Sequence, residues 1–322
     1  MCGNCDTFTR SAGSSFEGFR AVVGTGMSKL HQILKTFLLL SLLTGASMFS
    51  TAAQAGTPGQ SAALPPLSPS NWPTAQFNSS TDPSVQKARQ LLDGTIRALG
   101  GDMYVNLRNL RSEGRSYAFW QNQPSGQGIL FWRFWEWPDK DRYELTKQRD
   151  VVELNIGDKG YEITFRGTAA QDSKQLEEYN RRREHSIEWV IRKWLPAQGT
   201  LILYSGTAIV ERNLVDQVSV INSSNDAVTI SIDPNTHLPV EKSYEWRDPI
   251  DRQKNVEAEI FSNYRLVDGI NTPFSTVRTL NGEMRNQRFL SAVSYNVMLP
   301  TDLFVTKGIT YNPEQAVAPK KK

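Results

Sequence analysis

The chain has 322 residues, with 36 lysines and arginines against 33 aspartates and glutamates, a formal net charge of +3. So balanced a charge gives no basic field of the kind nucleic-acid binders present, and nucleic acid is excluded as an expected partner. The two cysteines, Cys2 and Cys5, are too few for a disulfide framework or an all-cysteine zinc site.

Taken in chain order, the first pattern begins at Met27. Lys29 and Lys35 supply positive charge, residues 37–43 form an apolar run, and Ala53-Gln54-Ala55 precedes Gly56. This is the basic, apolar, small-residue layout of a secretory signal peptide. The apolar centre is far shorter than the roughly 20 residues that cross a bilayer. Residues 1–26 are therefore expected to be a mis-called upstream extension, residues 27–55 a signal peptide, and Ala55 and Gly56 the residues flanking the cut. The exported chain then has no cysteine, a net charge of +1 and no site for a lipid anchor. It is expected to be soluble in the periplasm.

Residues 56–81, rich in glycine, proline, serine and asparagine, read as a flexible linker. Asp82 and Pro83 start a helix whose Val85, Ala88, Leu92, Ile96 and Leu99 recur at helical spacing, and Gly100-Gly101 stops it. Strands follow over 107–120, 128–137, 143–154 and 161–165, with the turn 157–160 before the last of these. Residues 171–195 read as one long amphipathic helix, with Leu176, Tyr179, Arg183, Ile187, Val190, Ile191 and Trp194 on one side and Pro196 closing it. Then come hairpins: 227–232 with 240–246, and 256–267, 273–280 and 285–296 joined by Asp268-Gly269 and Asn281-Gly282. Long strands with tight turns predict an antiparallel meander and a mostly β fold. The domain is expected over 82–306, with a disordered tail over 307–322.

Chemical motifs are scarce. His185 and His237 have no histidine, cysteine or carboxylate at metal-ligand spacing, and both read as surface residues. No nucleophile elbow, phosphate loop or zinc-protease motif occurs, so no catalytic residue, cofactor or metal is expected. The positive signal is apolar. In Ile129-Leu130-Phe131-Trp132-Arg133-Phe134-Trp135 both faces of one strand are bulky. Such a strand either packs between two dense layers or turns one face to a ligand cavity.

Three stretches carry a resemblance. They are Ala98-Leu99-Gly100-Gly101 with residues 107–114, then residues 232–240, and residues 261–273 followed by Tyr295-Asn296-Val297 and Leu303-Phe304. Across residues 82–304 the chain resembles the outer-membrane lipoprotein-sorting, LolA/LolB-like family of periplasmic lipid and lipoprotein carriers, as a larger, divergent member. The resemblance implies an α+β fold, an incomplete antiparallel β-barrel around an apolar cavity with a helical lid. It implies a non-enzymatic carrier of a lipid, a lipoprotein acyl chain or another hydrophobic ligand, with an envelope membrane protein as a further partner. On this basis Phe119, Phe131, Trp132 and Phe134 are cavity candidates, and Ile187, Ile191 and Trp194 candidates for the inner face of the lid. Which strand face points inward stays open, because a slip of one residue exchanges the two sets. Two other readings remain beside it: an envelope interaction module with a solid core, and an exported hydrolase built on scattered carboxylates.

Overall fold

The computed structural model describes residues 81–313. The upstream extension, the signal peptide with Ala55 and Gly56, the linker to residue 80 and the tail from 314 lie outside the described residues.

The fold starts as the sequence dictates. Asp82 accepts hydrogen bonds from the Ser84 and Val85 amides, and α1 runs over Pro83–Leu99. Its Ala88, Leu92 and Ile96 are fully buried, each large side chain there contributing about 1.5–3 kcal/mol. Gly100 ends it at φ 138°, where a side chain would meet the carbonyl of Gly269. A single turn, α2 (Asp102–Val105), leads into the sheet.

The strands are β1 (Asn109–Trp120), β2 (Gln123–Pro124), β3 (Ile129–Glu136), β4 (Lys140–Leu145), β5 (Val151–Ile156), β6 (Lys159–Thr164) and β7 (Gly167–Ala170). After a helical segment come β8 (Leu201–Val210), β9 (Asn213–Ile221), β10 (Ala227–Ile232), β11 (Pro239–Arg247), β12 (Lys254–Val267), β13 (Ile270–Leu280) and β14 (Glu283–Tyr295). Apart from β2, which pairs only with β1, they form one antiparallel sheet in the order β7-β6-β5-β4-β3-β1-β14-β13-β12-β11-β10-β9-β8. The sheet is unclosed, with β7 and β8 as its free edges, and the first and last long strands pair at its middle.

Several boundaries differ from the sequence expectation. The strand expected over 143–154 is broken into β4 and β5 by a turn in which Thr146 and Arg149 take positive φ, held by Thr146 Oγ1 on Asp150 at 2.5 Å. The helix expected over 171–195 is three pieces: α3 (Ser173–Glu184), the turn α4 (Ile187–Trp189) and a π-helical turn (Val190–Trp194). The break is chemical. The His185 ring bonds back to the Arg181 carbonyl at 2.6 Å, and extended Ser186 then caps the next turn through the Trp189 amide. Nor are the histidines surface residues. His185 is buried, stacked on Tyr244 and 2.8 Å from Asp226, and His237 sits half-buried under Gly94 of α1. In the segment after 306, the Thr310 and Tyr311 amides bond the Thr168 carbonyl of β7.

The main core lies on the concave side of β8–β11. There Ile202, Val218, Val220, Val228 and Ile230 pack with α1 and with Val190, Ile191, Trp194 and Leu195 of the π-helical turn.

Candidate ligand cavity

Residues 171–200 connect β7 to β8, the two free edges of the sheet. A chain joining the edges of a curved sheet must cross its open side, so α3 and α4 form a cover. Contacts to both wings hold it. On one side Tyr179 donates to Asp141 at 3.3 Å and Arg183 to the Gly157 carbonyl at 2.7 Å. On the other, Arg181 stacks on Trp246 at 3.6 Å, and the buried Lys242 Nζ donates to the His185 carbonyl at 3.0 Å. None of these four anchors carries a sequence motif. The sequence signal that could have found them is the pairing of Tyr179 and Arg183 on one helix face.

Beneath the cover lies a cavity of about 630 Å³, within the range of small-molecule sites. A bulge on β14 and a left-handed residue on β12 decide what faces it. On β14 the inward residues are Asn286, Arg288 and Leu290, then Val293 and Tyr295, because Ser291 is an extra residue opposite Glu113 and Gly114. On β12 they are Glu259 and Phe261, then Tyr264, across an irregularity at Asn263 (φ 56°). At Gly114 a side chain would collide with the Phe289 carbonyl, so only glycine allows this close approach.

The cavity has two chemistries. Toward α1 it is apolar and aromatic, lined by Leu99, Leu107, Leu110, Trp135, Trp137 and Ile270, with Ile187 and Trp189 from the cover. Tyr104, Tyr264 and Tyr295 join them. Tyr264 donates to the Pro239 carbonyl at 2.8 Å and Tyr295 meets Thr272 at 2.6 Å, so these rings present carbon to the interior. Burial pushes the Tyr295 hydroxyl up to about 12, which keeps it neutral. Away from α1 the lining is charged: Arg133, Asp141, Glu153, Glu259, Arg278 and Arg288, with Glu178 and Arg182 from α3. Arg133 grips Asp141 with two bonds of 2.9 and 3.0 Å. Burial pulls that guanidinium down, but Asp141, with Tyr143 and Tyr179, outweighs it and holds Arg133 well above its ordinary value. Burial, with Glu162 and Asp141 nearby, raises the Glu153 carboxyl.

The expected site residues divide by strand face. Phe131 and Ile187 line the cavity. Phe119, Trp132 and Phe134 do not, since β3 turns Ile129, Phe131, Arg133 and Trp135 inward and β1 turns Ser116 and Ala118. Trp132 and Phe134 lie on the outer face under Arg149. Ile191 and Trp194 belong to the core against β8–β11. Among the described residues no cluster of histidine, cysteine or carboxylate could hold a metal ion.

No family model and no curated protein matches the chain. Among solved structures it is similar to a DUF1329 family protein from Desulfovibrio piger, at 14% identity and TM-score 0.47, covering 68% of this chain and 97% of that one. It is similar to an outer membrane lipoprotein-sorting protein domain from Vibrio parahaemolyticus, at 10% identity and TM-score 0.42, covering 68% and 95%. It is also similar to a LolA superfamily protein from Nitrosomonas europaea, at 9% identity and TM-score 0.42, covering 68% and 97%.

Proposed function

We propose that this protein is a non-enzymatic carrier or binding protein for a hydrophobic ligand, such as a lipid or the acyl chain of a lipoprotein, working in the periplasm. One observation carries the reading: a covered cavity whose α1 end is carbon-lined by Leu110, Trp135, Trp137 and Ile270. An acyl chain in water costs about 0.8 kcal/mol per exposed CH₂, so crossing an aqueous space calls for such a shield. A cover joined to both sheet edges supplies a wall that can open without the sheet unfolding. The periplasmic setting rests on the pattern over residues 27–55, and an envelope membrane protein is the partner that would load or unload the cargo. The open interior speaks against an interaction module with a solid core.

Native mass spectrometry of protein purified from the periplasm, followed by lipid extraction, tests the proposal. Bound lipid is the expected result, with uptake of a fluorescent acyl probe by the delipidated protein. Leu290→Trp, which fills part of the cavity, is expected to weaken that uptake by about tenfold or more, a cost of about 1.4 kcal/mol. Protein that purifies empty and leaves the probe in solution would overturn the reading.

A further inference from the structure

The charged end of the cavity is not balanced pair by pair. Cross-strand register places Lys242, Glu259, Arg278 and Asn286 in one row across β11, β12, β13 and β14. Glu259 is taken by Lys242 at 3.2 Å, and Asp141 by Nε and Nη2 of Arg133. Arg278 is left with Glu257 at 4.0 Å, the far limit of an ion pair. Arg288, on the next strand, meets a phenol and an amide instead: it donates to Tyr143 at 2.7 Å and to Asn286 at 3.3 Å. From the cover, Arg182 reaches Glu178 only at 3.6 Å. Arg182 and Arg278 each keep about a quarter of their side-chain surface open, 25% and 24%. Burial lowers the Arg278 guanidinium, Arg182 and Arg288 lower it further, and Glu257 and Glu259 offset only part of this. Glu188, the other carboxylate of the cover that lines the cavity, acts on Tyr104, Tyr264 and Tyr295 at the opposite end. Glu259 acts on Arg278 and Arg288, and Glu153 on Arg182 and Arg288, yet the ion pairs of Arg182 and Arg278 are long, at 3.6 and 4.0 Å, and Arg288 bonds neutral partners, so guanidiniums held this loosely on a cavity wall recover only part of the solvation they lose. They make a good receptor for an anion, since arginine forks carboxylate and phosphate oxygens with charge-assisted bonds.

We propose that the cavity takes an anionic amphiphile, its carboxylate or phosphate head against Arg182, Arg278 and Arg288 and its chain toward Trp135, Trp137 and Phe261. This rests on the carrier reading and names its ligand class. One molecule then satisfies both chemistries, and a neutral lipid would bring these guanidiniums no closer counter-ion.

The test compares three probes on the delipidated full chain by competition with a fluorescent acyl reporter: oleate, neutral mono-olein, and inorganic phosphate. Oleate is expected to bind about tenfold or more tighter than mono-olein, one charge-assisted bond being sufficient for that ratio. In Arg278→Gln the oleate to mono-olein ratio is expected to fall about tenfold. In Glu178→Gln, which removes the 3.6 Å partner of Arg182 at the cavity wall, the ratio is expected to rise about threefold. The second variant keeps the test decisive should the first fail to fold. Equal binding of oleate and mono-olein, unchanged in both variants, would overturn this proposal and leave the carrier reading standing. Phosphate competing as well as oleate would assign the site to a free anion and overturn the amphiphile. Failure of all three probes and of the reporter would overturn the carrier reading itself.

Discussion

Glu259 shows how single residues are tuned here. Burial alone would raise its carboxyl, but Lys242, then Arg288 and Arg278, outweigh burial and bring it down to about 2 from the usual 4.5. A carboxyl whose folded value is depressed stabilises the fold fully above its unfolded value, and that contribution is lost as pH falls. The window is therefore pH 4.5 down to about 2, and the loss is on the order of 3 kcal/mol. Urea unfolding of the protein across this window is expected to show the decline, and Glu259→Gln to flatten it. A decline of the same size in the variant would remove Glu259 as its source. The same residue explains part of what the sequence conceals. Lys242 and Glu259 are 17 positions apart and carry no motif, yet they face each other because β11 and β12 pair with that register.

At the scale of elements, legibility followed turn chemistry. α1 shows itself through Asp82, Pro83 and Gly100, and β12, β13 and β14 through Asp268-Gly269 and Asn281-Gly282, where the backbone needs positive φ. The hairpin of β8 and β9 turns on Glu211 and Arg212, also at positive φ, and no glycine announces it. The break between β4 and β5 at Thr146 and Arg149 is silent for the same reason. The inward residues were harder still. An extra residue at Ser291 and an irregularity at Asn263 exchange the two faces partway along β14 and β12, so no single period of two gives the lining. On β3 the period holds, but Phe131 and Trp132 look alike as neighbours in sequence and differ only once the register is known. The cover makes its own prediction. Asp172 caps α3 by accepting from the Lys174 and Gln175 amides at 3.0 and 3.2 Å. Asp172→Ala is expected to cost about 1 kcal/mol. Hydrogen exchange should report it as faster exchange confined to α3, while protection in β1 and β14 stays put. Uniform loss of protection would mean that the cover does not open on its own.

For the whole molecule, a cavity that is filled only with ligand links stability to cargo. Ligand that binds the folded chain alone stabilises it by about 2.7 kcal/mol at a concentration 100 times its dissociation constant. Delipidated protein titrated with oleate is therefore expected to melt progressively higher. A melting temperature indifferent to oleate would contradict binding in the cavity.

The central seam of the sheet has a kinetic meaning as well. β1 pairs with β14 from Leu110 with Tyr295 to Ala118 with Asn286, so the middle of the molecule closes over almost the full described length of chain. Such contacts carry a large loop-closure cost and slow the search for the native state. Until Glu283 has left the ribosome, β1 has only β2 and β3 as native partners, and its other edge stands bare. The two halves of the sheet therefore stay unjoined while the chain is being made, and the seam closes only when the last strand arrives.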